Sequence, residues 1–259
     1  MLNDRFRTQR YMNKEILNKI ISSQLRNRKM LAVLLDPDAC SEKHLQQTLS
    51  VLKTHTPDFV FVGGSHIQSS VDKLIKTLKA ELKTDIILFP GNSSQFSDKC
   101  DALLYLSLLS GRNPEFLIGQ HVNSAKAIKD SKVEVISTAY LLIEGGSTSS
   151  VEYMSNTKPI PHTKNEISVS TAIAGELLGM QLCYLEAGSG AKNPVNPSMI
   201  KAVKANIEIP ILVGGGIRTL ETLTQAFDAG ADIIVVGNVF ETKPNLIADF
   251  VDAVKAYNI

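Results

Sequence analysis

Short apolar runs recur along this chain and alternate with segments in which apolar residues follow a helical period. Eight runs are rich in aliphatic and β-branched residues and read as buried strands. They occupy residues 31–36, 59–62, 86–89, 102–108, 133–141, 181–186, 211–213 and 233–236. Most intervals place apolar residues at i, i+3 and i+4, as in Leu220, Leu223 and Phe227. The third run is the exception, because residues 91–95 that follow it read as loop.

Near-continuous apolar strands separated by helices are typical of a parallel sheet that is covered by helices. Eight strand–helix units in 259 residues match the size of a closed (β/α)8 barrel. The pattern therefore predicts an α/β protein, a TIM barrel, in which residues 1–259 form a single domain. An open, doubly wound sheet is the alternative architecture.

Residues 1–29 form a predicted helical extension ahead of the first strand. Seven basic residues precede Lys29 against two acidic ones, Asp4 and Glu15. One helix face carries Ile16, Leu17, Ile20, Ile21 and Leu25. The extension either packs across the bottom of the barrel or attracts the protein to anionic lipid surfaces.

Composition narrows the functional class. A net charge of +1 is too small to attract nucleic acid through the overall electrostatic field of the protein. The longest apolar run, near residues 103–109, is too short to span a bilayer. The first residues lack the apolar core of a signal peptide, and the three cysteines lack metal-type spacing. We therefore expect a cytoplasmic enzyme without a nucleic-acid partner.

Three glycine-containing turns follow predicted strands six, seven and eight. They comprise residues 184–190, with the sequence Tyr-Leu-Glu-Ala-Gly-Ser-Gly, residues 214–218, and the pair Gly237-Asn238. Glycine permits close approach of the backbone to an anion, and barrels commonly bind phosphate with the loops after strands seven and eight. Each turn alone is typical of a tight βα connection, but together they predict a phosphate site. Asn238 would add an amide donor, and Glu186 is a candidate base beside the site.

Two acidic residues follow the first strand. Asp36 ends a buried run, and Pro37 stiffens the turn before Asp38. Carboxylate oxygens at the mouth of a barrel are suited to Mg²⁺, and Ser65 after strand two would add a hydroxyl ligand. A helix cap alone would explain Asp38, and His66 reads as a structural neighbour rather than a catalytic group.

Other chemistries find little support. No lysine lies in a predicted strand, which leaves a Schiff-base aldolase without a nucleophile, and no histidine or cysteine pair has zinc spacing. The chemistry that these observations leave is acid–base or electrostatic chemistry on a phosphorylated substrate.

Residues 145–165 form a long Ser-, Thr- and Pro-containing connection that would lie over the active-site face as a lid or a wall.

Taken together, these segments resemble the geranylgeranylglyceryl phosphate synthase family, which includes the heptaprenylglyceryl phosphate synthases. The similarity extends in order from strand one to strand eight, and the length resembles that of the longer branch of the family. The matching segments are residues 35–38, 62–65, 140–142, 184–190, 213–218 and 237–238.

The resemblance implies that a polyprenyl diphosphate, with geranylgeranyl diphosphate as the expected donor, is joined to the 3-hydroxyl of sn-glycerol 1-phosphate. The product would be an ether-lipid precursor, with release of diphosphate. By position, Asp36 and Ser65 would hold Mg²⁺, and Glu186 would take the hydroxyl proton while Tyr184 stabilises carbocation character. The glycerol phosphate contacts would be Tyr184, Leu185, Glu186, Ala187, Gly188, Ser189, Gly190, Gly215, Gly216, Gly237 and Asn238.

The resemblance also implies a homo-oligomer, either a dimer or a hexamer, and peripheral membrane contact for release of the lipid product. The prenyl tail would occupy an apolar channel near the ends of strands three to five. Its expected lining is Phe89, Phe96, Tyr105, Leu108 and Tyr140, each of which is also explained by ordinary core packing.

Two positions depart from the family pattern. Leu34 stands where shorter members carry a lysine, so the anion would rely on backbone amides, Mg²⁺, Arg218 or Lys192. Ala139 precedes Tyr140 where other members can have glycine. The alternative functions are an FMN-binding or sugar-phosphate isomerase barrel and a catalytically silent phosphate- or lipid-binding barrel.

Overall fold

Eight parallel strands form a closed barrel in the computed structural model, which describes residues 14–259. Each strand pairs with its neighbours in sequence, and β1 also pairs with β8, with Val33 opposite Val236. The strands are β1 Met30–Leu35, β2 Phe59–Val62, β3 Asp85–Leu88, β4 Ala102–Leu108, β5 Glu134–Leu142, β6 Leu182–Glu186, β7 Ile211–Gly214 and β8 Ile233–Val236. The predicted (β/α)8 barrel is confirmed, and the open sheet is excluded.

Helices cover the outside of the barrel. The helices are α1 Glu15–Leu25, α2 Glu42–Thr54, α3 Val71–Glu81, α4 Gln120–Asp130, α5 Ser150–Ser155, α6 Asn165–Leu177, α7 Pro197–Lys204, α8 Leu220–Asp228, α9 Asn238–Thr242 and α10 Leu246–Tyr257. After β3 only a 3₁₀ turn, Ser93–Gln95, is present, as the loop-like sequence there predicted. A π-helical turn, Glu115–Gly119, leads into α4.

Side-chain caps fix where several of these helices begin. The Ser41 hydroxyl accepts the N–H of His44 at the start of α2, and Ser70 does the same for α3. Asn196 caps α7, whose first residue, Pro197, needs no hydrogen-bond partner for its nitrogen.

Strand residues alternate between two cores, since successive side chains point to opposite faces of a strand. On β2, Phe59 and Phe61 point into the barrel interior, whereas Val60 and Val62 pack against the surrounding helices. The inward series leads up each strand to the carboxyl end of the barrel. Polar and charged residues at the strand ends are therefore held by two packed layers, the barrel interior and the layer between strands and helices.

The N-terminal helix α1 closes the bottom of the barrel. Ile16, Leu17 and Ile20 are buried and join the interior core. The barrel covers the predicted apolar face only in part, because Ile21 is 36% exposed and Leu25 is 81% exposed. Helix α1 thus packs on the barrel, while residues 1–13, which carry three of the basic residues, lie outside the described part of the chain.

None of the helices within residues 14–259 combines the length and apolar character that crossing a bilayer requires.

A carboxylate at the start of β5 anchors α1. The Glu134 side chain accepts the N–H groups of Ile16 at 3.0 Å and Leu17 at 2.9 Å, which are orphan donors at a helix start. We expect Glu134→Ala to lower the free energy of unfolding by about 2 kcal/mol, because it removes two hydrogen bonds to a charged group. Urea denaturation followed by circular dichroism measures the loss, with Glu208→Ala at an exposed site as the control. Equal stabilities for the two variants would contradict the anchoring role.

Candidate active site

The carboxyl ends of the strands surround an open cleft. Its wall is formed by the ends of β1 and β2, by β6, and by the turns after β7 and β8. Among the residues that line it are Leu34, Asp36, Ser65, Tyr184, Glu186, Ser189, Gly190, Gly215, Gly216, Arg218, Gly237, Asn238 and Glu241. The three glycine-containing turns therefore meet around one space.

The turn after β7 depends on glycine. Gly215 and Gly216 have φ angles of 80° and 72°, a region that disfavours other residues. A Cβ on Gly215 would lie 2.5 Å from Glu186 Oε1, and one on Gly216 would lie 2.7 Å from the Pro194 nitrogen. Within residues 14–259 the N–H groups of both glycines lack a hydrogen-bond acceptor. The turn thus presents two free donors, the arrangement that binds an anion.

Asn238 joins the turn after β8 to the turn after β6. Its Oδ1 accepts the Ser189 hydroxyl at 3.0 Å and the Gly190 N–H at 2.9 Å. The Nδ2 group has only long contacts, at 3.5 Å, to the Glu241 carboxylate. The amide nitrogen is therefore the part of Asn238 that remains available to a ligand.

Glu186 is the buried carboxylate of the cleft. Its side chain lies on the last residue of β6, and Oε1 accepts the Gly188 N–H at 2.7 Å. Burial raises the pKa of Glu186 to about 7, against the opposing effects of the nearby Tyr184 hydroxyl and of the Gly188 N–H. A carboxylate with a pKa near neutral is well suited to accept a proton from a substrate.

Three aromatic rings lie beside this carboxylate. Tyr184 stacks on Phe89 with a centroid distance of 5.3 Å and meets Tyr140 edge-to-face at 5.4 Å. Burial and the charge of Glu186 raise the pKa of Tyr184 well above its usual value. Within residues 14–259 its hydroxyl has no hydrogen-bond partner of ordinary geometry, although it lies close to Glu186. Tyr184 is therefore fully buried, with one face of its ring against Phe89 and its hydroxyl beside Glu186.

The opposite edge of the cleft is acidic. Burial raises the pKa values of Asp36 and of Glu241, and the charge of Asp36 contributes to the shift at Glu241. Ser65 lines the same space. Two carboxylates and a hydroxyl are hard oxygen donors, and the raised pKa values of the carboxylates reflect chiefly their burial. This donor set fits Mg²⁺, which usually takes one or two carboxylates and completes its shell with water or phosphate.

Asp38 has a structural role. Its carboxylate accepts the N–H groups of Gln68 and Ser69 and so fixes the loop after β2. His66, which lies in that loop, is exposed at the edge of the cleft.

An apolar cavity opens from the cleft between β3, β4 and α4. The space between its lining atoms, including open solvent at the mouth, is about 830 Å³. The five residues expected to line a channel, Phe89, Phe96, Tyr105, Leu108 and Tyr140, all line it. It shares its entrance with the cleft. The lining residues common to both are Gly64, Ser65, Phe89, Tyr140 and Val151.

The long connection after β5 forms a wall. Its helix α5 places Val151 against both spaces, and an isolated bridge between Ile143 and Ile160 ties its ends together. Ser149 packs against Gly188, where a Cβ would lie 2.5 Å from the serine Cβ. This connection therefore supports the turn after β6.

Most of the predicted site residues line the cleft, but the side chains of some point away from it. Leu185 and Ala187 are buried in the core between barrel and helices, and the Gly188 N–H is taken by Glu186. These three can contribute only backbone atoms. Ala139 also points outward, where a Cβ on Gly175 would touch its methyl group, so it does not shape the channel. Leu34 does face the cleft.

Glu241 is a charged cleft residue that sequence reasoning missed. It lies three residues after Asn238 in α9, so helical spacing gives the two side chains one face. That spacing was the available signal.

Comparison with known proteins identifies the family. The model of the PcrB family matches residues 23–257. The chain belongs to this family. A relative from Chitinophaga pinensis, named geranylgeranylglyceryl phosphate synthase, is 46% identical over 246 residues, covering 95% of this chain and 98% of the relative. A relative of the same name from Spirosoma linguale is 44% identical, covering 91% and 95%.

A solved structure agrees with these relatives. The (S)-3-O-geranylgeranylglyceryl phosphate synthase from Thermoplasma acidophilum, in complex with sn-glycerol-1-phosphate, has a TM-score of 0.87 and 32% identity. The match covers 93% of this chain and 98% of that one. The resemblance read from the sequence is confirmed. The family assignment displaces the FMN-binding, isomerase and silent-barrel alternatives.

Burial of Glu186 makes stability depend on pH. The pKa of its carboxyl is about 7 in the folded chain, against an ordinary value of 4.5. The folded state therefore binds this proton more tightly than the unfolded state does. The stability contributed by that proton is complete below pH 4.5 and is lost as pH rises through 7. Between pH 4.5 and 8 we expect the wild type to lose about 3 kcal/mol relative to Glu186→Gln, as measured by urea unfolding.

Glu186→Gln has no carboxyl at this position. The pH dependence of its stability therefore reports the contribution of all other titratable groups. If the two proteins keep a constant difference across this range, the carboxyl is not protonated near neutrality.

Proposed function

We propose that this PcrB-family enzyme joins a polyprenyl diphosphate to the 3-hydroxyl of sn-glycerol 1-phosphate, forming an ether and releasing diphosphate. The observation that carries the proposal is the shared entrance of a polar cleft and an apolar cavity, with Glu186 and Tyr184 beside it. The names of the relatives and the ligand in the Thermoplasma acidophilum structure support the same activity.

The phosphate of sn-glycerol 1-phosphate would bind the turns after β6, β7 and β8. Its oxygens would accept the free N–H groups of Gly215 and Gly216 and the Nδ2 group of Asn238. Gly190 and Gly237 allow the backbone to approach closely at the other two turns. A phosphate held in this way orients the glycerol hydroxyl toward the shared entrance.

Glu186 would act as the general base. Its carboxylate is buried at the base of the cleft, where no bulk water competes for the proton of the attacking hydroxyl. Tyr184 would present its ring to the positive charge that develops on the allylic carbon as diphosphate leaves. Both residues lie on β6 and are two positions apart, so they project to the same side of the strand.

The prenyl chain would occupy the apolar cavity. Leu103 and Leu108 line it at opposite ends of β4, which puts roughly 16 Å of strand along its wall. A long, fully apolar chain is the ligand that such a wall suits, and we propose geranylgeranyl diphosphate as the donor.

Asp36 and Ser65 would hold Mg²⁺, with Glu241 as an additional oxygen donor at the same edge. The ion, when bound, neutralises the charge of the departing diphosphate. Asp36 is held for this role by the Asp38 N–H, which its Oδ1 accepts at 2.8 Å.

The setting of the enzyme is also part of the proposal. We propose a cytoplasmic, single-domain homo-oligomer, a dimer or a hexamer, that delivers its lipid product by peripheral contact with a membrane. Exposed apolar side chains near the cavity, such as Ile118 at 58% and Val122 at 68%, support an association of this kind.

The activity is tested by incubating the protein with radiolabelled sn-glycerol 1-phosphate, Mg²⁺ and a series of prenyl diphosphates. We expect a labelled ether lipid, with the highest kcat/KM for geranylgeranyl diphosphate. Glu186→Gln should lower kcat by roughly 10²–10⁴-fold, because it keeps the shape but loses the proton acceptor. Its affinity for glycerol phosphate, measured by calorimetry, should change by less than about tenfold.

Glu208→Gln, at an exposed site at the opposite end of the barrel, is the matched control and should behave as wild type. Absence of a labelled lipid with every donor would refute the proposed reaction. A normal kcat in Glu186→Gln would leave the reaction standing and remove the base.

The metal role of Asp36 has its own test. We expect Asp36→Asn to weaken binding of Mg²⁺ by more than about tenfold, since the variant loses a charged oxygen donor. Calorimetric titration of Mg²⁺ in the presence of inorganic diphosphate measures this binding without turnover. Asp249→Asn, exposed on α10, is the control of equal charge change. Full activity of the wild type in excess EDTA would rule out the metal.

A further inference from the structure

Arg218 binds the turn after β6 through its backbone carbonyls. Its Nη2 donates to the Ala191 oxygen at 2.5 Å and to the Gly190 oxygen at 3.3 Å, and Nη1 donates to the Lys192 oxygen at 3.4 Å. Arg218 itself belongs to the turn after β7. One guanidinium therefore ties together the two turns that flank Glu186.

The same turn is held from two other sides. Asn238 accepts the Gly190 N–H from the side of β8, and the Gly145 oxygen accepts the Asn193 N–H at 3.0 Å from the connection after β5. Of these three contacts, only the one from Arg218 binds carbonyl oxygens of the turn. Carbonyl oxygens carry partial negative charge. Uncovered carbonyls beside an anion site would repel a phosphate, and the guanidinium neutralises three of them.

Three hydrogen bonds from its two terminal nitrogens hold the planar fork of Arg218 against the turn. Guanidinium binds acceptors through a rigid fan of donors, and here both terminal nitrogens already face the protein backbone. Lysine could not replace this arrangement, since its ammonium is a single point charge.

We propose that Arg218 is a positioning residue for the phosphate of the substrate, acting through the turn formed by residues 188–193 rather than by direct contact. This inference rests on the proposed function, because the anion it concerns is sn-glycerol 1-phosphate. Arg218 keeps the carbonyls of residues 190–192 turned toward itself. It thereby fixes the turn against which Gly215, Gly216 and Asn238 lie. Its loss frees the turn and weakens binding without removing the base.

The test compares Arg218→Ala, Arg218→Lys and Lys192→Ala. Lys192 is an exposed cation on the same turn and, among residues 14–259, is not one of those that line the cleft, so the structure does not support it as a contact of the anion. Its removal changes the charge equally but leaves the carbonyl bonds in place. Calorimetry with sn-glycerol 1-phosphate gives the affinity, steady-state kinetics give KM and kcat, and hydrogen exchange of the ligand-free protein reports on the Ala191 and Asn193 amides. Both amides are hydrogen-bonded in the native turn.

For Arg218→Ala we expect affinity and KM to worsen by about 10–100-fold, kcat to change by less than about threefold, and both amides to exchange faster. Arg218→Lys should recover part of the affinity, and Lys192→Ala should stay within about threefold of wild type. Unchanged affinity in Arg218→Ala overturns the proposal, as does equal loss in Lys192→Ala. Weaker binding with unchanged exchange also overturns it, because it indicates direct contact with the phosphate.

The wild-type titration separates this inference from the proposed function. If wild-type protein does not bind sn-glycerol 1-phosphate, the proposed substrate is wrong and the role of Arg218 in binding it falls as well. If wild type binds normally, the variants alone decide the role of Arg218.

Discussion

Pairing of β1 with β8 is the constraint on which the rest of this structure depends. The register that puts Val33 opposite Val236 brings Asp36 next to Gly237 and Asn238, which lie two hundred residues later in the chain. Without closure, the acidic edge and the glycine turns would lie on separate strand ends. Because the barrel is closed, every strand delivers its last residues to one rim, and a site can be assembled from several of them.

Closure also sets the electrostatics of the cleft. Glu186 lies at the end of a fully buried strand, and that position removes it from water and raises its pKa to about 7. Of the three rings beside it, Phe89 and Tyr140 also line the apolar cavity, and Tyr184 packs against both of them. One packing arrangement therefore prepares both a proton acceptor and an apolar surface, so the two properties cannot be tuned independently.

The strands and the glycine turns could be predicted because each leaves a local signal. An apolar run defines a strand, and Gly215 and Gly216 satisfy a backbone need that other residues cannot. The direction in which each side chain points was harder to predict from the sequence. Leu185 and Leu25 follow the expected periodicities, yet one faces the outer core and the other faces solvent, because tertiary packing decides which face is covered. Glu241 was missed, since only closure reveals that α9 approaches Asp36.

The shared entrance of cleft and cavity has an evolutionary consequence. Val151 and Tyr140 belong to both walls, so a substitution there that admits a bulkier tail also disturbs the glycerol site. The far end of the cavity, near Ile128 and Leu103, does not border the cleft and would touch only the proposed prenyl tail. Relatives that differ in lipid length would therefore diverge mainly at that distant end, whereas the residues at the entrance would remain fixed across the family.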